Sequence, residues 1–323
     1  RRFFFPGPNM AQNLLKFAVT SSGRNFSTSV ASKAIQNVTI IGGGLMGSGI
    51  AQVAAQAGNN VKLVDLKEDI LKNSKKAIEH SLPRVAGKVF KGDPAKAEQF
   101  VKDSLSKITF TTDISSAVSD ADLVVEAIIE NLKIKQALFA DIDKVAPEKT
   151  IFASNTSSIS IKEIAANTSR KDRFGGLHFF SPVPVMKLLE VVRIPETSDV
   201  THQAIDSWGK SIGKVTVTCK DTPGFIVNRL LIPYSMEAVR MAERGDASVQ
   251  DIDTAMKLGA GYPMGPFELA DFTGVDIGYY VIKGWAEKFP DDPTYTIPEN
   301  LEKMVKEGKL GRKTGEGYYK YNK

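Results

Sequence analysis

Over the first two thirds of the chain, short apolar runs typical of β-strands alternate with segments whose apolar positions follow the period of an α-helix. Residues 38–41 and 61–64 are short apolar runs with β-branched residues, as in buried parallel strands, and residues 45–57 continue between them as a helix. Strand-like runs recur at 123–130 and 150–158, with a helical segment between them, and a further strand leads to His178. This alternation predicts a doubly wound parallel α/β sheet whose ligands bind at the carboxyl ends of the strands.

A long, charged helical segment interrupts this alternation at residues 68–107. It is longer than a simple crossover, so we expect an inserted helical pair with a break near residues 92–94, Gly-Asp-Pro. Its first half is strongly basic: Lys72, Lys75, Lys76, Arg84, Lys88 and Lys91. These side chains form either a solvated helix face or a site for an anionic ligand. His80 in this segment is expected to be a surface residue.

The periodicity becomes helical from Asp221 onward. Residues 225–245 and 246–258 read as helices, and residues 259–289 break at Gly and Pro before a further helix. The sequence therefore predicts a Rossmann-type domain at 33–220 and an all-α domain at 221–323. Bulky apolar residues are frequent enough there to suggest a subunit interface in addition to a core, with an exposed helical cap as the alternative. Arg229 is interpreted as structural.

Composition excludes several classes of protein. The 323 residues are 42% hydrophobic and 24% charged, as in globular proteins, and contain no apolar run long enough to predict a membrane span. The single cysteine, Cys219, excludes an internal disulfide framework and a cysteine-based metal cluster, and no metal site is expected. Residues 1–32 carry +4 of the net charge of +5, so the basic balance does not predict a nucleic-acid partner.

The N-terminal segment, residues 1–32, has the composition of a mitochondrial transit peptide. It is basic, rich in serine and free of acidic residues, and its apolar positions from Leu14 to Val19 can share one helical face. A cut after Phe26, two residues beyond Arg24, resembles a matrix-protease site. Residues 1–9 precede a candidate start, Met10, and are expected to be an artefact of translation. The alternative is an N-terminus without a targeting role.

The first strand is followed by the glycine pattern G-x-G-x-x-G, which spans residues 42–47. Gly42 permits a tight turn, Gly44 lets the backbone approach a pyrophosphate, and Gly47 lets helix and strand pack closely. The helix N-terminus then receives the phosphate charge. Asp65, at the end of the second strand, can accept hydrogen bonds from ribose hydroxyls and repels a 2′-phosphate. Together these elements predict a dinucleotide site that favours NAD over NADP.

The segment 176–190, GLHFFSPVPVMKLLE, contains one of only three histidines in the chain. Two prolines forbid a continuous helix from His178 to Glu190, so the pattern predicts a strand, a sharp turn and a returning strand. Such a hairpin brings the imidazole and the carboxylate side by side. A carboxylate fixes the tautomer of a neighbouring imidazole, as a general base requires, whereas the alternative is a structural core histidine. A base that removes a hydroxyl proton while hydride leaves for nicotinamide is the preferred interpretation.

Several motifs resemble the L-3-hydroxyacyl-CoA dehydrogenases of mitochondrial fatty-acid β-oxidation. The resemblance runs from about Lys33 to the C-terminus through GGGLMGSGIAQVAA, DLVVEAIIENLKIK, SNTSS, GLHFFSPVPVMKLLEVV, DTPGFIVNRLL, MKLGAGYPMGPFEL and KTGEGYYKY. The last two motifs are not needed by a generic dinucleotide-binding domain. The resemblance implies NAD-dependent oxidation of L-3-hydroxyacyl-CoA to 3-oxoacyl-CoA by a homodimer in the mitochondrial matrix.

The resemblance also implies roles for individual residues. The catalytic set would be His178 as base, Glu190 as its partner, Ser157 at the C3 oxygen and Asn228 at the substrate pocket. The CoA-binding set would be Ser81, Lys88 and Ser157, which favours the ligand site over the solvated face. The cofactor-binding set would be Gly42, Gly43, Gly44, Leu45, Met46, Gly47, Asp65, Glu130, Lys135, Ser157, Ser181 and Lys313.

Ser181 departs from the family pattern, which commonly reads HFFNP. A serine is shorter than an asparagine and offers one hydroxyl where an amide offers a donor and an acceptor. The contact near the nicotinamide and the thioester would then be looser or bridged by water.

Two other functions remain open from the sequence. A free hydroxy-acid dehydrogenase of related architecture would not need the basic insert, because a free acid has no distant nucleotide to hold. A non-catalytic protein that retains NAD binding would not need His178, Glu190 and Ser157 together.

Overall fold

A computed structural model describes residues 35–321, and the predicted transit peptide therefore lies outside the described residues. One eight-stranded sheet occupies the N-terminal part, in the order β3-β2-β1-β4-β5-β6-β7-β8. The first six strands are parallel, β7 is antiparallel to β6, and β8 is parallel to β7. The strands are β1 (Asn37–Ile41), β2 (Asn60–Val64), β3 (Ile108–Thr111), β4 (Leu123–Glu126), β5 (Ile151–Ser154), β6 (Phe174–Phe179), β7 (Leu188–Arg193) and β8 (Val215–Lys220).

The helices fall into two groups. Those of the sheet-containing part are α1 (Leu45–Gln56), α2 (Glu68–Val89), α3 (Pro94–Ser106), α4 (Ile114–Val118), α5 (Leu132–Asp143), α6 (Ile161–Ile164) and α7 (Asp199–Ser211). Those of the C-terminal part are α8 (Val227–Glu243), α9 (Val249–Gly259), α10 (Pro266–Thr273), α11 (Val275–Lys288) and α12 (Glu299–Lys306). The predicted doubly wound sheet, helical insert and all-α C-terminal part are confirmed.

Apolar side chains form three buried clusters. Two of them lie on opposite faces of the sheet: one joins β1 to α1 and α7, and the other joins β4 to α5 and α6. The third is made by the C-terminal helices, around Phe267, Ile282 and Trp285. A sheet covered on both faces explains why its strands read as continuous apolar runs.

The two strand-like runs that end near the site are longer in the sequence than in the structure. β4 stops at Glu126 because its carboxylate accepts a hydrogen bond from the Ile128 amide (2.7 Å), which turns the chain away from the sheet. β5 stops at Ser154, whose hydroxyl similarly accepts from the Thr156 amide (3.2 Å). Residues 127–130 and 155–158 are therefore loops at the carboxyl edge of the sheet, where a ligand is expected.

Two buried aspartates attach the C-terminal segment to the helical part. Asp253 accepts from the amides of Phe267 and Glu268 and from the Tyr319 hydroxyl (2.6 Å). Asp271 accepts from the Tyr318 and Tyr319 amides, both at 2.9 Å. A buried carboxylate needs several donors to offset its loss of hydration, and here backbone amides supply most of them. The KTGEGYYKY motif is thus an integral part of this core.

None of the helices in residues 35–321 combines the length and the apolar character required to cross a membrane.

Candidate active site

His178 and Glu190 are directly opposite each other on neighbouring antiparallel strands. β6 pairs with β7 so that these two residues are register partners, and His178 Nδ1 lies 2.6 Å from Glu190 Oε2. His178 is 5% exposed and Glu190 is fully buried. Because the carboxylate accepts, Nδ1 carries a proton, and in the neutral tautomer of the ring Nε2 has the free lone pair. The predicted hairpin is confirmed, and it places an imidazole with an available basic nitrogen at the edge of the sheet.

The second oxygen of Glu190 holds the beginning of α8. Glu190 Oε1 accepts hydrogen bonds from the amides of Ile226 (3.1 Å) and Val227 (2.9 Å). A carboxylate at a helix N-terminus is stabilised by the free amides and by the helix dipole. The same carboxylate therefore fixes the orientation of His178 and ties the first C-terminal helix to the sheet.

Aromatic rings enclose the imidazole on two sides. The Phe180 and Phe225 rings lie 4.6 Å and 5.4 Å from the His178 ring, centroid to centroid. Phe225 is the one non-glycine residue in the described chain with a positive φ, 53°. Left-handed backbone costs about 1–2 kcal/mol for such a residue. The strained turn positions the Phe225 ring beside His178 and the amides of Ile226 and Val227 beside Glu190.

Glu130 holds the loop that contains Ser157. Its Oε1 accepts from the Thr156 hydroxyl (2.5 Å) and from the amides of Ser157 (2.9 Å) and Ser158 (3.2 Å). The Ser157 carbonyl in turn faces Asn228 Nδ2 at 3.5 Å. The structure thus brings Glu130, Ser157 and Asn228 into one group that links the sheet to α8.

Lys135 is buried between two carboxylates. Its ammonium lies 2.5 Å from Glu126 and 3.1 Å from Glu130, with Lys135 1% exposed and Glu126 fully buried. Burial raises the pKa of the Glu130 carboxyl, but the charge of Lys135 and the hydrogen bonds from the 156–157 loop outweigh it and leave the pKa below its ordinary value. Glu130 is therefore held ionised. Lys135 contributes to the site by keeping this carboxylate charged.

Asn155 connects this loop to the histidine strand. Its side-chain oxygen accepts from the Phe179 amide at 2.9 Å, one residue beyond His178. The pairing of β5 with β6 ends at Ser154 and Gly176. Beyond that point, the Asn155 side chain provides the next hydrogen bond between the two segments. The Ser157 loop and His178 are consequently held in a fixed relation.

The glycine-rich turn provides an open cradle at the N-terminus of α1. A Cβ atom at Gly42 would lie 2.5 Å from the Ala127 carbonyl oxygen, and one at Gly47 would collide with the Gly42 carbonyl. At Gly44, by contrast, nothing lies within 4 Å of such an atom, and no side chain caps α1. The turn is closed on its inner side and open on its outer side, as a pyrophosphate requires.

The remaining cofactor candidates near this turn fit a nucleotide. Asp65 accepts from the Gly43 amide (2.8 Å) and the Lys67 amide (3.2 Å), which fixes its carboxylate while each oxygen keeps a further lone pair. Leu45 is 75% exposed and Met46 is half-buried, beside the cradle at the start of α1. The donor set therefore fits a dinucleotide with free ribose hydroxyls.

The four remaining candidates lie on α2, in the C-terminal segment and in the turn after β6. Ser81 and Lys88 are two turns apart on the same face of α2, half-buried and exposed respectively. Lys313 pairs with Asp276 on α11 at 2.5 Å. Ser181 is exposed, two residues after β6.

Sequence reasoning did not select Glu126 or Phe225. The only available signal for Glu126 was a carboxylate within an otherwise apolar strand, which a buried position must compensate with partners. Phe225 followed a Thr-Pro-Gly turn, but its backbone conformation is set by contacts that a sequence does not display.

Comparisons with known proteins match nearly the whole described chain. Residues 37–222 match the family model described as 3-hydroxyacyl-CoA dehydrogenase, NAD binding domain, and residues 224–321 match the 3-hydroxyacyl-CoA dehydrogenase C-terminal domain. The mitochondrial hydroxyacyl-coenzyme A dehydrogenase of Homo sapiens is 57% identical over 93% of this chain and 96% of its own length. That of Sus scrofa is 55% identical over 95% and 100%. The crystal structure of (S)-3-hydroxybutyryl-CoA dehydrogenase from Ralstonia eutropha has a TM-score of 0.84, with 42% identity over 90% of this chain and 100% of that chain.

The fold, the cradle and these matches define an NAD-dependent oxidoreductase. More particularly, the chain belongs to the 3-hydroxyacyl-CoA dehydrogenase family. An acyl-CoA substrate and a function in β-oxidation fit that family. The mammalian relatives are mitochondrial by name, which indicates a mitochondrial location.

Proposed function

We propose that the chain oxidises L-3-hydroxyacyl-CoA to 3-oxoacyl-CoA, with His178 as the general base. The observation that carries the proposal is the buried His178–Glu190 pair, with its 2.6 Å contact, at the edge of an NAD-binding sheet. The reaction is L-3-hydroxyacyl-CoA + NAD⁺ giving 3-oxoacyl-CoA + NADH + H⁺. Bound NAD⁺ supplies the hydride acceptor, while the protein supplies orientation and the site for the proton.

In this proposal, the free lone pair on His178 Nε2 accepts the hydroxyl proton of the substrate. Glu190 keeps the ring in the required tautomer and stabilises the imidazolium that forms. The apolar enclosure by Phe180 and Phe225 excludes water, which strengthens the attraction between imidazolium and carboxylate. The proton leaves His178 for solvent after the product departs.

The loop residues orient the substrate oxygen. The Ser157 hydroxyl is proposed to donate to the oxygen at C3, and Asn228 to line the substrate pocket beside it. Their support is geometric: Glu130 holds the Ser157 backbone, and the Asn228 amide reaches the Ser157 carbonyl. Ser181 is proposed to contact the nicotinamide side of the site less tightly than an asparagine would.

Cofactor contacts are assigned to the carboxyl edge of the sheet. The backbone of residues 42–47 would hold the pyrophosphate, and Asp65 the adenosine ribose. Glu130 would accept from the other ribose while Lys135 keeps it ionised. Lys313 would contact the cofactor from the C-terminal segment. Its ion pair with Asp276 connects that segment to α11.

Residues 33–220 would form the cofactor domain and residues 221–323 a substrate and dimerisation domain. Two exposed apolar side chains support the dimer: Ile277 is 53% exposed and Tyr280 is 63% exposed, one turn apart on α11. The opposite face of α11 already packs in the core through Tyr279 and Ile282. A helix that is apolar on both faces is typical of a buried interface.

The mitochondrial matrix is the proposed location, reached by cleavage of residues 1–32. The acid-free, serine-rich composition of that segment supports the assignment. Import of the radiolabelled chain into isolated mitochondria should shorten it and protect it from added protease. A chain that stays full-length and protease-sensitive would contradict the matrix assignment.

The substrate class can be tested with paired substrates. We expect NADH oxidation with acetoacetyl-CoA and little with free acetoacetate, because the proposed contacts of Ser81 and Lys88 on α2 would hold the CoA nucleotide, which the free acid lacks. The reverse preference would favour the free hydroxy-acid dehydrogenase. Absence of turnover with both substrates would favour a non-catalytic NAD-binding protein.

A double change, Ser81→Ala with Lys88→Ala, tests the CoA contact separately. It should raise the KM for acetoacetyl-CoA about tenfold or more, since hydrogen bonds to charged groups contribute roughly 1.5–3 kcal/mol. The KM for acetoacetyl-N-acetylcysteamine, which lacks the nucleotide, should stay unchanged. Lys76→Ala, on a different face of α2, is the matched control. Equal KM changes for both thioesters would place the CoA nucleotide elsewhere.

A further inference from the structure

Lys214 is a buried lysine that pairs with no carboxylate among residues 35–321. It lies in the turn between α7 and β8 and is 8% exposed. Its ammonium donates to the carbonyl oxygens of Val183 and Met186, the latter at 2.8 Å, and lies 5.9 Å from the centre of the Phe179 ring. Buried ammonium groups normally pair with a carboxylate, so a lysine directed at two main-chain carbonyls requires an explanation.

Both acceptors belong to the turn that separates the catalytic strands. This turn, Pro182–Met186, begins four residues after His178 on β6 and leads into β7, which carries Glu190. The amides of Val185 and Met186 donate to the Pro182 carbonyl, so the turn has its own internal hydrogen bonds.

The same turn packs against the dinucleotide-binding helix. Val183 is 2% exposed, and a Cβ atom placed on Gly49 of α1 would come within 2.8 Å of its side chain. Lys214 holds the turn from the side of α7 and β8, while α1 contacts it through Gly49. The position of the turn therefore decides how closely the His178 hairpin approaches the helix that starts at the cofactor cradle.

We propose that Lys214 is a positioning residue for the dehydrogenase reaction: its ammonium fixes the Pro182–Met186 turn and, through it, the placement of Ser181 and His178 against α1. The inference rests on the proposed function of the His178–Glu190 pair. Lys214 acts on the geometry of the site and does not itself touch the reacting atoms.

The charge on Lys214 distinguishes this role from simple packing. A methionine could fill the same space without losing hydration, whereas an ammonium attracts the carbonyl dipoles of the turn more strongly than a neutral amine does. Burial is the cause that lowers the pKa of Lys214 to about 8. On neighbouring elements, Asp206 and Lys210 on α7 pair with each other (2.6 Å), Lys187 is exposed, and His178 and Glu190 are paired together. The attraction between the Lys214 ammonium and the Val183 and Met186 carbonyls should therefore weaken when the pH rises through about 8.

The test compares Lys214→Met with the wild type across pH, using acetoacetyl-CoA and NADH. The ratio of wild-type to variant kcat cancels every pH effect that the two enzymes share. We expect a ratio of about ten at pH 7, the equivalent of 1.4 kcal/mol, that falls towards one as the pH rises past about 8. The melting temperature should not fall in parallel, and Lys210→Met should behave as the wild type throughout.

Lys214→Arg provides the complementary measurement and serves if the methionine variant does not fold. Arginine stays charged, so the kcat of this variant relative to wild type should rise above pH 8. A wild-type to methionine ratio of one at every pH overturns the proposal, as does a pH-independent ratio accompanied by a lower melting temperature. A flat arginine ratio overturns it equally. Wild-type enzyme without turnover would instead overturn the function on which the proposal rests.

Discussion

At the scale of single residues, the site depends on side chains that each serve two partners. Glu190 divides its two oxygens between His178 and the amides that start α8. Glu130 divides its oxygens between Lys135 and the Ser157 loop. Because these contacts are made within the protein, the geometry of each carboxylate is fixed before any ligand arrives, which is the preorganisation that catalysis requires.

The sequence predicted the histidine pair because proline leaves few conformations for residues 178–190. It did not predict Lys214 or the buried Lys135–Glu126 contact as structural features. A lysine in the sequence is normally a surface residue, and its partners here, such as Val183 on another element, are brought close only by the fold. The fold class followed from local periodicity, whereas these partners depend on contacts between distant segments.

Replacing His178 by glutamine should remove the base and leave the cofactor site intact. We expect kcat to fall about 10²–10⁴-fold, the usual contribution of a general base. NADH affinity, measured by fluorescence titration, should stay within error because His178 lies outside the glycine-rich cradle. His202→Gln is the control, since His202 bonds the Thr218 hydroxyl away from Glu190. Wild-type turnover in the His178 variant would refute its role.

Glu190→Gln should lower both turnover and stability, because one carboxylate has two tasks. We expect at least a tenfold loss of kcat and roughly 2–3 kcal/mol of destabilisation, the typical range for a lost charge-assisted, buried hydrogen bond. Steady-state kinetics and chemical denaturation measure the two effects. Glu196→Gln, whose only ion pair is with Lys162 at 3.7 Å among the described residues, should change neither. A variant with normal kcat and reduced stability would assign Glu190 to the scaffold alone.

At the scale of elements, the site lies where four segments end close together. The loops after β4 and β5, the end of β6 and the start of α8 each contribute one part. Hydrogen bonds accepted by the side chains of Glu130, Asn155 and Glu190 connect these segments. Sequence patterns located these ends within a few residues. They overestimated β4 and β5 because the side chains of Glu126 and Ser154 turn the chain by local hydrogen bonds that periodicity does not register.

The α7–β8 turn makes a specific pH dependence of stability testable. Lys214 has a folded pKa of about 8 against an ordinary value of 10.5, so between these values the unfolded chain binds a proton that the folded chain does not. The free energy of unfolding contributed by Lys214 must therefore rise with pH across this window. Relative to Lys214→Met, wild-type stability should improve by about 2 kcal/mol between pH 8 and 9.5.

Chemical denaturation of both proteins at several pH values measures this difference. Lys210→Met controls for the loss of a lysine at the surface of α7. A wild-type to Lys214→Met difference that is constant from pH 7 to 10 would show that Lys214 titrates normally.

At the scale of the whole molecule, the C-terminal part is joined to the sheet by the site itself. Asn228 reaches the Ser157 carbonyl and Glu190 accepts from the first amides of α8, so the candidate active site and the attachment of the helical part share the same contacts. The C-terminal segment is attached in turn through Asp253 and Asp271. A bound substrate would therefore lie between the sheet and α8, whose relative positions are already fixed by these contacts.

Tyr280→Asp should convert a dimer to monomers if α11 forms the subunit interface. A charge in an apolar interface typically weakens association by 2 kcal/mol or more, roughly a thirtyfold change in the dissociation constant. Light scattering after size-exclusion chromatography measures the mass. Val200→Asp is the control, because Val200 is equally exposed at 68% but lies on α7. A wild-type monomer, or a dimer unaffected by the Tyr280 change, would contradict the assignment.

The support of Glu190 by main-chain amides has a consequence for how this protein can diversify. The hydrogen bonds to Glu190 place no demand on the side chains at 226 and 227, because the donors belong to the backbone and every residue except proline supplies one. Chain length between β8 and α8 has no such freedom, since one inserted residue would move both amides away from the carboxylate. Point substitutions in this linker should therefore be tolerated, whereas insertions or deletions should inactivate the enzyme.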